Sequence, residues 1–415
     1  MSDDTDRTSA RAARGFSTRA IQAASRAPHL DQVPTSVPIY QTATFTAADA
    51  DALGDVLGDP RSGYAYSRIG NPTTAALGAA YAELAGGELG TAFSSGMGAI
   101  HAAIASRVRS GDRIVASRDL YGSTRSLLLG TFGRFGVQVD LVDITDHEAV
   151  DAALAVRPTA VLFAESIANP TTIVADHARL AELAHRHGAA YLVDNTFASP
   201  YVCRPLELGT DLVIESATKF LGGHSDVIAG VVAGSAAVMA DVDRVQVDTG
   251  GTLGPLEAFL VLRGILTLGV RAERHSRTAA ALAAWLETQA GVTAVRYPGL
   301  ASHPQHDVAV RQFRTGAFGG MLALDVVGGR DAGKAVIDAM SLPELTASLG
   351  SVHTMVVHPP STSQRQLSDA ALQEAGITAG LLRVSVGLED LEDLQADFSA
   401  ALDAARRVAP APAAV

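Results

Sequence analysis

At 415 residues, 47% hydrophobic and 18% charged, the chain is long enough for two or three domains and too apolar for a disordered polymer. Its formal net charge of −12 argues against nucleic acid or an anionic membrane as the main partner. The single cysteine, Cys203, excludes an intrachain disulfide and a cysteine-rich metal site, and reads as a packed small hydrophobe.

Residues 1–14 are polar, mix acids with arginines and lack the apolar stretch of a secretory signal. No apolar run reaches the ~18–20 residues that cross a bilayer. A cytoplasmic enzyme is the simplest expectation. Both ends, to about residue 14 and from about Val408, are expected to fray. From Phe93 to about Val232, short β-branched runs alternate with helix-period segments. The pattern predicts strands at 113–116, 137–142, 160–164, 190–193, 212–214 and 228–232. It predicts helices at 97–108, 148–156 and 175–187, the last closed by His-Arg-His and Gly188. Such alternation implies an α/β fold with a mainly parallel sheet covered on both faces. Beyond about Gly254 the character changes to a helical region at 257–287, a strand at 320–326, a loop around Pro359-Pro360 and a strand at 382–386. These elements predict a second, smaller α+β domain.

Only two of the 32 basic residues are lysine, and one of them, Lys219, stands in Ser216-Ala217-Thr218-Lys219-Phe220-Leu221-Gly222-Gly223-His224-Ser225-Asp226. Arginine solvates a surface as well as lysine does, but it cannot lose its proton to serve as nucleophile or base. A lysine kept among hydroxyls and glycines is therefore expected to be needed as an amine. The other, Lys334, reads as a surface residue. Upstream, the apolar run Tyr191-Leu192-Val193 ends in Asp194. A Schiff-base lysine with an acid for a pyridinium nitrogen is the pairing that a pyridoxal 5'-phosphate (PLP) site needs.

Other segments fit that chemistry. Ser94-Ser95-Gly96-Met97-Gly98 opens a predicted helix, and small residues there let backbone N–H groups approach a phosphate. Ser216 and Thr218 could donate to the same phosphate. Arg68, in Tyr64-Ala65-Tyr66-Ser67-Arg68-Ile69-Gly70-Asn71-Pro72-Thr73, could hold a phosphate bidentately, or form a surface ion pair. Tyr121 follows a predicted strand and could stack on a ring, or pack in a core. Arg383 lies in a β-like run, where a buried guanidinium needs an anion such as a substrate carboxylate. No Walker lysine or dinucleotide glycine motif is present. The histidines make no metal site: His185 and His187 face different sides of a helix, and His353 and His358 lack a carboxylate cluster. His224 is expected to hydrogen-bond within the lysine loop.

Together these segments resemble the cystathionine/methionine γ-family of PLP enzymes, from Gly15-Phe16-Ser17-Thr18-Arg19 to Gly387-Leu388-Glu389-Asp390. The resemblance implies a fold-type I PLP-dependent transferase architecture. It also implies an arm (1–62) that contributes to a neighbouring subunit, a PLP-binding domain (63–260) and a C-terminal domain (261–410). Lys219 would be the Schiff-base lysine and, once freed by the substrate amine, the general base. Asp194 would pair with the pyridine nitrogen, and Gly96, Met97, Ser216 and Thr218 would hold the phosphate. Tyr66 and Arg68 would reach that phosphate from the neighbouring subunit of a homo-oligomer, in this family usually a tetramer. Tyr121 would stack on the ring and act near the leaving group. Asn169 would touch cofactor or substrate, and Arg383 and Ser348 would anchor the substrate carboxylate.

The motifs do not choose the reaction. The expectation is γ-elimination of a methionine- or homocysteine-like amino acid to 2-oxobutanoate, ammonia and a thiol. The alternatives are γ-replacement of the O-acylhomoserine sulfhydrylase or cystathionine γ-synthase/γ-lyase type, a specialised substrate being open, and, in another class, transamination. Cystathionine-handling relatives often carry acids where this chain has Ala65 and Ala347. Methionine γ-lyases typically have cysteine where it has Ser123, and a polar pair where it has Gln246-Val247. The stretch 358–367 looks most like O-acylhomoserine sulfhydrylases, whereas 40–45 and 297–302 look like methionine γ-lyases.

Overall fold

Short runs between residues 89 and 234 line up as a seven-stranded sheet in a computed structural model that describes residues 33–59, 61–365 and 368–408. The ends expected to fray, the Gly15–Arg19 motif, much of the expected arm and Gln366-Leu367 lie outside the described residues. The strands are β1 (Leu89–Phe93), β2 (Arg113–Ser117), β3 (Gln138–Val142), β4 (Val161–Glu165), β5 (Ala190–Asp194), β6 (Leu212–Glu215) and β7 (Gly230–Gly234), in the order β1-β7-β6-β5-β4-β2-β3. Only β7 opposes its neighbours, so β1 runs parallel to the other five.

Both faces of this sheet are covered. Ile114, Ala116, Phe163, Leu192 and Ile214 pack against Ile100, Ala103 and Ile104 of the helix Gly96–Ala105. Their alternates Val115, Leu162 and Val193 pack against Leu180, Leu183 and Ala184 of the helix His177–Arg186. Burial on both faces is why these strands read as continuous apolar runs instead of alternating ones.

Strand β1 escaped the sequence reading because Leu-Gly-Thr-Ala-Phe carries little β propensity. Its Gly90 lies against Gly78 of the helix Pro72–Ala85, and a Cβ on Gly90 would sit 2.3 Å from the Gly78 carbonyl oxygen. Close backbone contact, not side-chain bulk, places that strand.

A second, five-stranded sheet runs β10-β11-β12-β9-β8, from β8 (Val292–Arg296), β9 (Met321–Val326), β10 (Glu344–Leu345), β11 (Met355–Val357) and β12 (Leu381–Ser385). Leu322, Leu324 and Val384 of this sheet share a core with Leu282 and Leu286, Val336, Leu394 and Phe398 from three helices. The predicted helical region 257–287 is two helices, Pro255–Ile265 and Leu268–Leu286. The second spans both cores, with Leu268 and Ala272 against the large sheet and Ala279 to Leu286 against the small one. Among the described residues no helix is long and apolar enough to cross a membrane.

Candidate functional site

The C-terminal ends of β1, β2, β4, β5 and β6 meet at one edge of the large sheet, the edge where parallel sheets offer loops and helix starts to a ligand. A cavity of about 280 Å³ opens there. It is lined by Gly96, Met97, Tyr121, Asn169, Asp194, Ser216, Thr218, Lys219 and Arg383, all singled out from the sequence. Ser348 joins them through Lys219, whose Nζ donates to its Oγ at 2.9 Å.

At one end the helix Gly96–Ala105 begins. Ser95 caps it, its Oγ accepting from the Gly98 N–H at 3.0 Å. The first-turn N–H groups of a helix have no carbonyl one turn back and attract an anion. Gly96 is required by space: a Cβ there would lie 2.7 Å from the Ser216 Cβ. The helix start and the turn after β6 therefore form one cradle. Thr218 is already engaged, since its hydroxyl donates to the Ala229 carbonyl at 3.2 Å and accepts from the Ala229 N–H at 3.0 Å.

Asp194 ends β5. Its Oδ1 accepts from both the N–H and the hydroxyl of Thr196, and the Thr196 hydroxyl in turn accepts from the Ser216 N–H at 2.8 Å. Burial raises the Asp194 carboxyl above its usual range despite those two bonds. Lys219 moves the opposite way, to about 8, through burial and the neighbouring Arg383 guanidinium. An amine that sheds its proton near neutrality is suited to nucleophilic and general-base work.

Arg383 reaches the cavity from β12 of the small sheet. Its Nη2 donates to the Ser348 carbonyl at 2.9 Å and its Nη1 to Asn169 Oδ1 at 3.3 Å. Its Nε is buried without a partner, and burial lowers the guanidinium to about 10. A desolvated guanidinium whose partners are neutral and whose Nε is unmatched is a ready anchor for a carboxylate.

The donor set fits PLP. An anion cradle stands at a helix start, a buried carboxylate suits a cationic ring nitrogen, and a depressed lysine can bond a carbonyl carbon. The collision that a Gly96 Cβ would make with Ser216, and the orphaned Arg383 Nε, are independent marks of a site shaped for anionic ligands.

Tyr66 and Arg68 are not brought to this cavity. Arg68 Nη1 donates to the Val247 carbonyl at 2.6 Å, its guanidinium lies 5.6 Å from the centre of the Tyr66 ring, and both residues are exposed. His224 bonds the Gly222 carbonyl at 2.7 Å within its own loop, Cys203 is buried, and Lys334 is exposed. Ala347 lines the cavity, which gives the sequence departure there a location.

Two residues escaped the sequence reading. Glu165 ends β4 on the cavity floor, accepting from the N–H groups of Tyr121 and Asn169. Burial and the adjacent Asp194 push its carboxyl well above the usual range. An acid closing an apolar run marks Asp194, and the same signal stands at Glu165, one residue past the predicted strand. Arg271 is buried and donates to the carbonyls of Phe220 at 2.7 Å and Gly264 at 2.7 Å, holding the chain that leaves Lys219. No local pattern marks that arginine among so many.

A family model described as Cys/Met metabolism PLP-dependent enzyme matches residues 17–403. An L-methionine gamma-lyase of Pseudomonas putida is 42% identical over 395 residues, which cover 94% of this chain and 98% of that protein. An O-succinylhomoserine sulfhydrylase of Pseudomonas aeruginosa is also 42% identical over 395 residues, covering 94% of this chain and 95% of the relative. The crystal structure of a cystathionine gamma synthase from Xanthomonas oryzae pv. oryzae, in complex with aminoacrylate and cysteine, superposes with a TM-score of 0.85 at 36% identity, over 90% of this chain and 94% of that one.

Proposed function

The chain belongs to the family of Cys/Met metabolism PLP-dependent enzymes, with PLP as its cofactor, and we propose that it catalyses γ-elimination on a methionine- or homocysteine-like amino acid. The products are 2-oxobutanoate, ammonia and a thiol, with one water consumed. Bound PLP supplies the electron sink that lets Cα of an amino acid lose its proton.

The chain's own residues do the rest. Lys219 would bond the cofactor at rest and, once freed, would hold and move the Cα proton at Nζ. Asp194 would pair with the ring nitrogen, and Gly96, Met97 and Ser216 would hold the phosphate, with Thr218 joining them once its hydroxyl turns from the Ala229 carbonyl. Arg383, with Asn169 and Ser348, orients the substrate carboxylate. Tyr121, which lines the cavity, would cover the ring and act near the leaving group. In an oligomer of identical subunits, Tyr66 and Arg68 complete the phosphate site of a neighbour, and a tetramer accompanies this reading. On this reading the described residues of 63–260 serve as the cofactor domain and those of 261–410 as the C-terminal domain of a cytoplasmic enzyme, while most of the expected arm, 1–62, lies outside the described residues.

The observation that carries the choice of substrate is the cavity lining. Ile228, Ala347 and Leu349 contribute apolar surface, and the acids that line it are Glu165 and Asp194. Both are already tied, Glu165 to two backbone amides and Asp194 to Thr196. Among the described residues no spare carboxylate lines the cavity to meet a distal ammonium, so an uncharged thioether or thiol suits it better than cystathionine.

The test is release of 2-oxobutanoate from L-methionine by PLP-loaded protein, with Lys219→Ala as the blank. Release by the wild type alone supports γ-elimination. A second reading, O-acylhomoserine sulfhydrylation, is favoured by the equal identity to the Pseudomonas aeruginosa relative. No release from methionine, together with sulfide-dependent consumption of O-succinylhomoserine, would replace the first reading with the second.

A further inference from the structure

We infer that Glu165 is a positioning residue that sets Tyr121 and Asn169 over the cavity floor, one carboxyl oxygen to each backbone amide. The inference rests on the reading of this cavity as the PLP site and assigns a task to a side chain which that reading leaves unused.

Glu165 and Asp194 end adjacent parallel strands and are paired in register. Paired residues of neighbouring strands project to one face, so both acids enter the same floor. Such proximity is unfavourable for two carboxyl groups, and a neutral residue would avoid it. What an amide cannot do is present an acceptor on each of two separate oxygens. Oε1 accepts from the Tyr121 N–H at 2.6 Å and Oε2 from the Asn169 N–H at 2.9 Å. Glutamine in the same place has one acceptor and one donor, and the donor would face an N–H.

The two amides belong to different loops, one after β2 and one after β4. Tyr121 stands at the start of the short helix Gly122–Ser126 without a side-chain cap bond, and its ring is exposed. Its backbone bond to Glu165 ties that start to the sheet. Asn169 carries the effect onward. Its Oδ1 accepts from Arg383, Arg383 donates to the Ser348 carbonyl, and the Ser348 hydroxyl accepts from Lys219. Glu165 thus stands at the head of a continuous path from the aromatic residue to the carboxylate anchor and the lysine.

The experiment compares wild type, Glu165→Gln and Glu165→Asp as PLP-reconstituted full-length protein, with far-UV circular dichroism as the check on folding. Three quantities are read: the induced circular dichroism of the visible cofactor band, the KM for the amino acid, and kcat. Glu165→Gln is expected to keep the band, change its induced dichroism, and raise KM by about 10- to 100-fold, the cost of leaving a buried donor unmatched. Glu165→Asp retains two acceptors and is expected to recover part of that loss. It also keeps the inference testable should the glutamine variant fail to fold. Wild-type dichroism and KM in Glu165→Gln, or no recovery in Glu165→Asp, overturn the inference while leaving the cofactor site intact. Absence of a visible band in reconstituted wild type overturns the cofactor reading and the inference with it.

Discussion

The Nζ of Lys219 donates a 2.9 Å hydrogen bond to the Oγ of Ser348, 129 positions further along the chain. The bond joins the loop after β6 of the large sheet to the link between β10 and β11 of the small one. Neither sheet alone holds the lysine. The contact is tightened by Gly350, whose φ of +74° and closeness to Phe220 leave no room for a side chain: a Cβ there would lie 2.7 Å from the Phe220 nitrogen and 3.0 Å from the Lys219 carbonyl carbon.

Gly350→Ala is therefore expected to push the two loops apart. The strain of overpacking and a disfavoured φ should cost about 1–3 kcal/mol of stability. Turnover should fall more than that loss of folded protein explains, because Lys219 loses its bond to Ser348. Denaturant unfolding and kcat/KM, measured on the same preparation, check this. Unchanged values would mean that the loops separate without consequence.

Lys219 also links stability to pH. Its folded value of about 8 lies below the ordinary 10.5. Between those values the unfolded chain holds a proton that the folded cofactor-free protein has lost, so stability rises with pH across that window. Below pH 8 the full burial penalty is present. Melting of cofactor-free wild type should improve relative to Lys219→Met as pH rises through the window. Parallel curves would contradict it.

Arg383→Lys keeps a positive charge but loses the planar fork that reaches Asn169 and Ser348. We expect KM for the amino acid to rise by about 10- to 100-fold, from the loss of about 1.5–3 kcal/mol per charge-assisted bond. Cofactor absorption should be retained. A KM equal to that of the wild type would remove Arg383 from the carboxylate site.

Three histidines predict acid lability. Burial holds His177 at about 3 and His275 and His303 at about 4, against an ordinary 6.5. Below pH 6.5 the unfolded chain binds protons that the folded chain refuses, so stability is lost as pH falls from 6.5 towards 4. His177→Gln, which can still bond Tyr191 and Ser166, should make the decline shallower. A decline of equal slope in that variant, followed by urea unfolding, would place the lability elsewhere.

Much of the site was legible because its parts are local. The alternation of strand and helix located β2 to β6 to within a residue or two. The lysine stood out by composition, and the glycine-rich helix start by the size of its residues. Strand β1 was not legible, since Gly90 owes its place to Gly78 across a helix–sheet contact. Glu165 lay one residue past a correctly placed strand, and its importance rests on the register that sets it beside Asp194.

The sequence by itself determined which chemistry the chain could hold: an amine spared from arginine, an acid at the end of an apolar strand, a helix start bare enough for an anion. These are properties of residue type and short-range periodicity, and a single chain carries them without folding. The tertiary structure alone decided which of them meet. It set Arg383 and Ser348 against Lys219 from another sheet, paired Glu165 with Asp194, and left Tyr66 and Arg68 outside their own chain's cavity. Strand register and the docking of one sheet on another arise from contacts between residues far apart in the chain, and no local pattern encodes them.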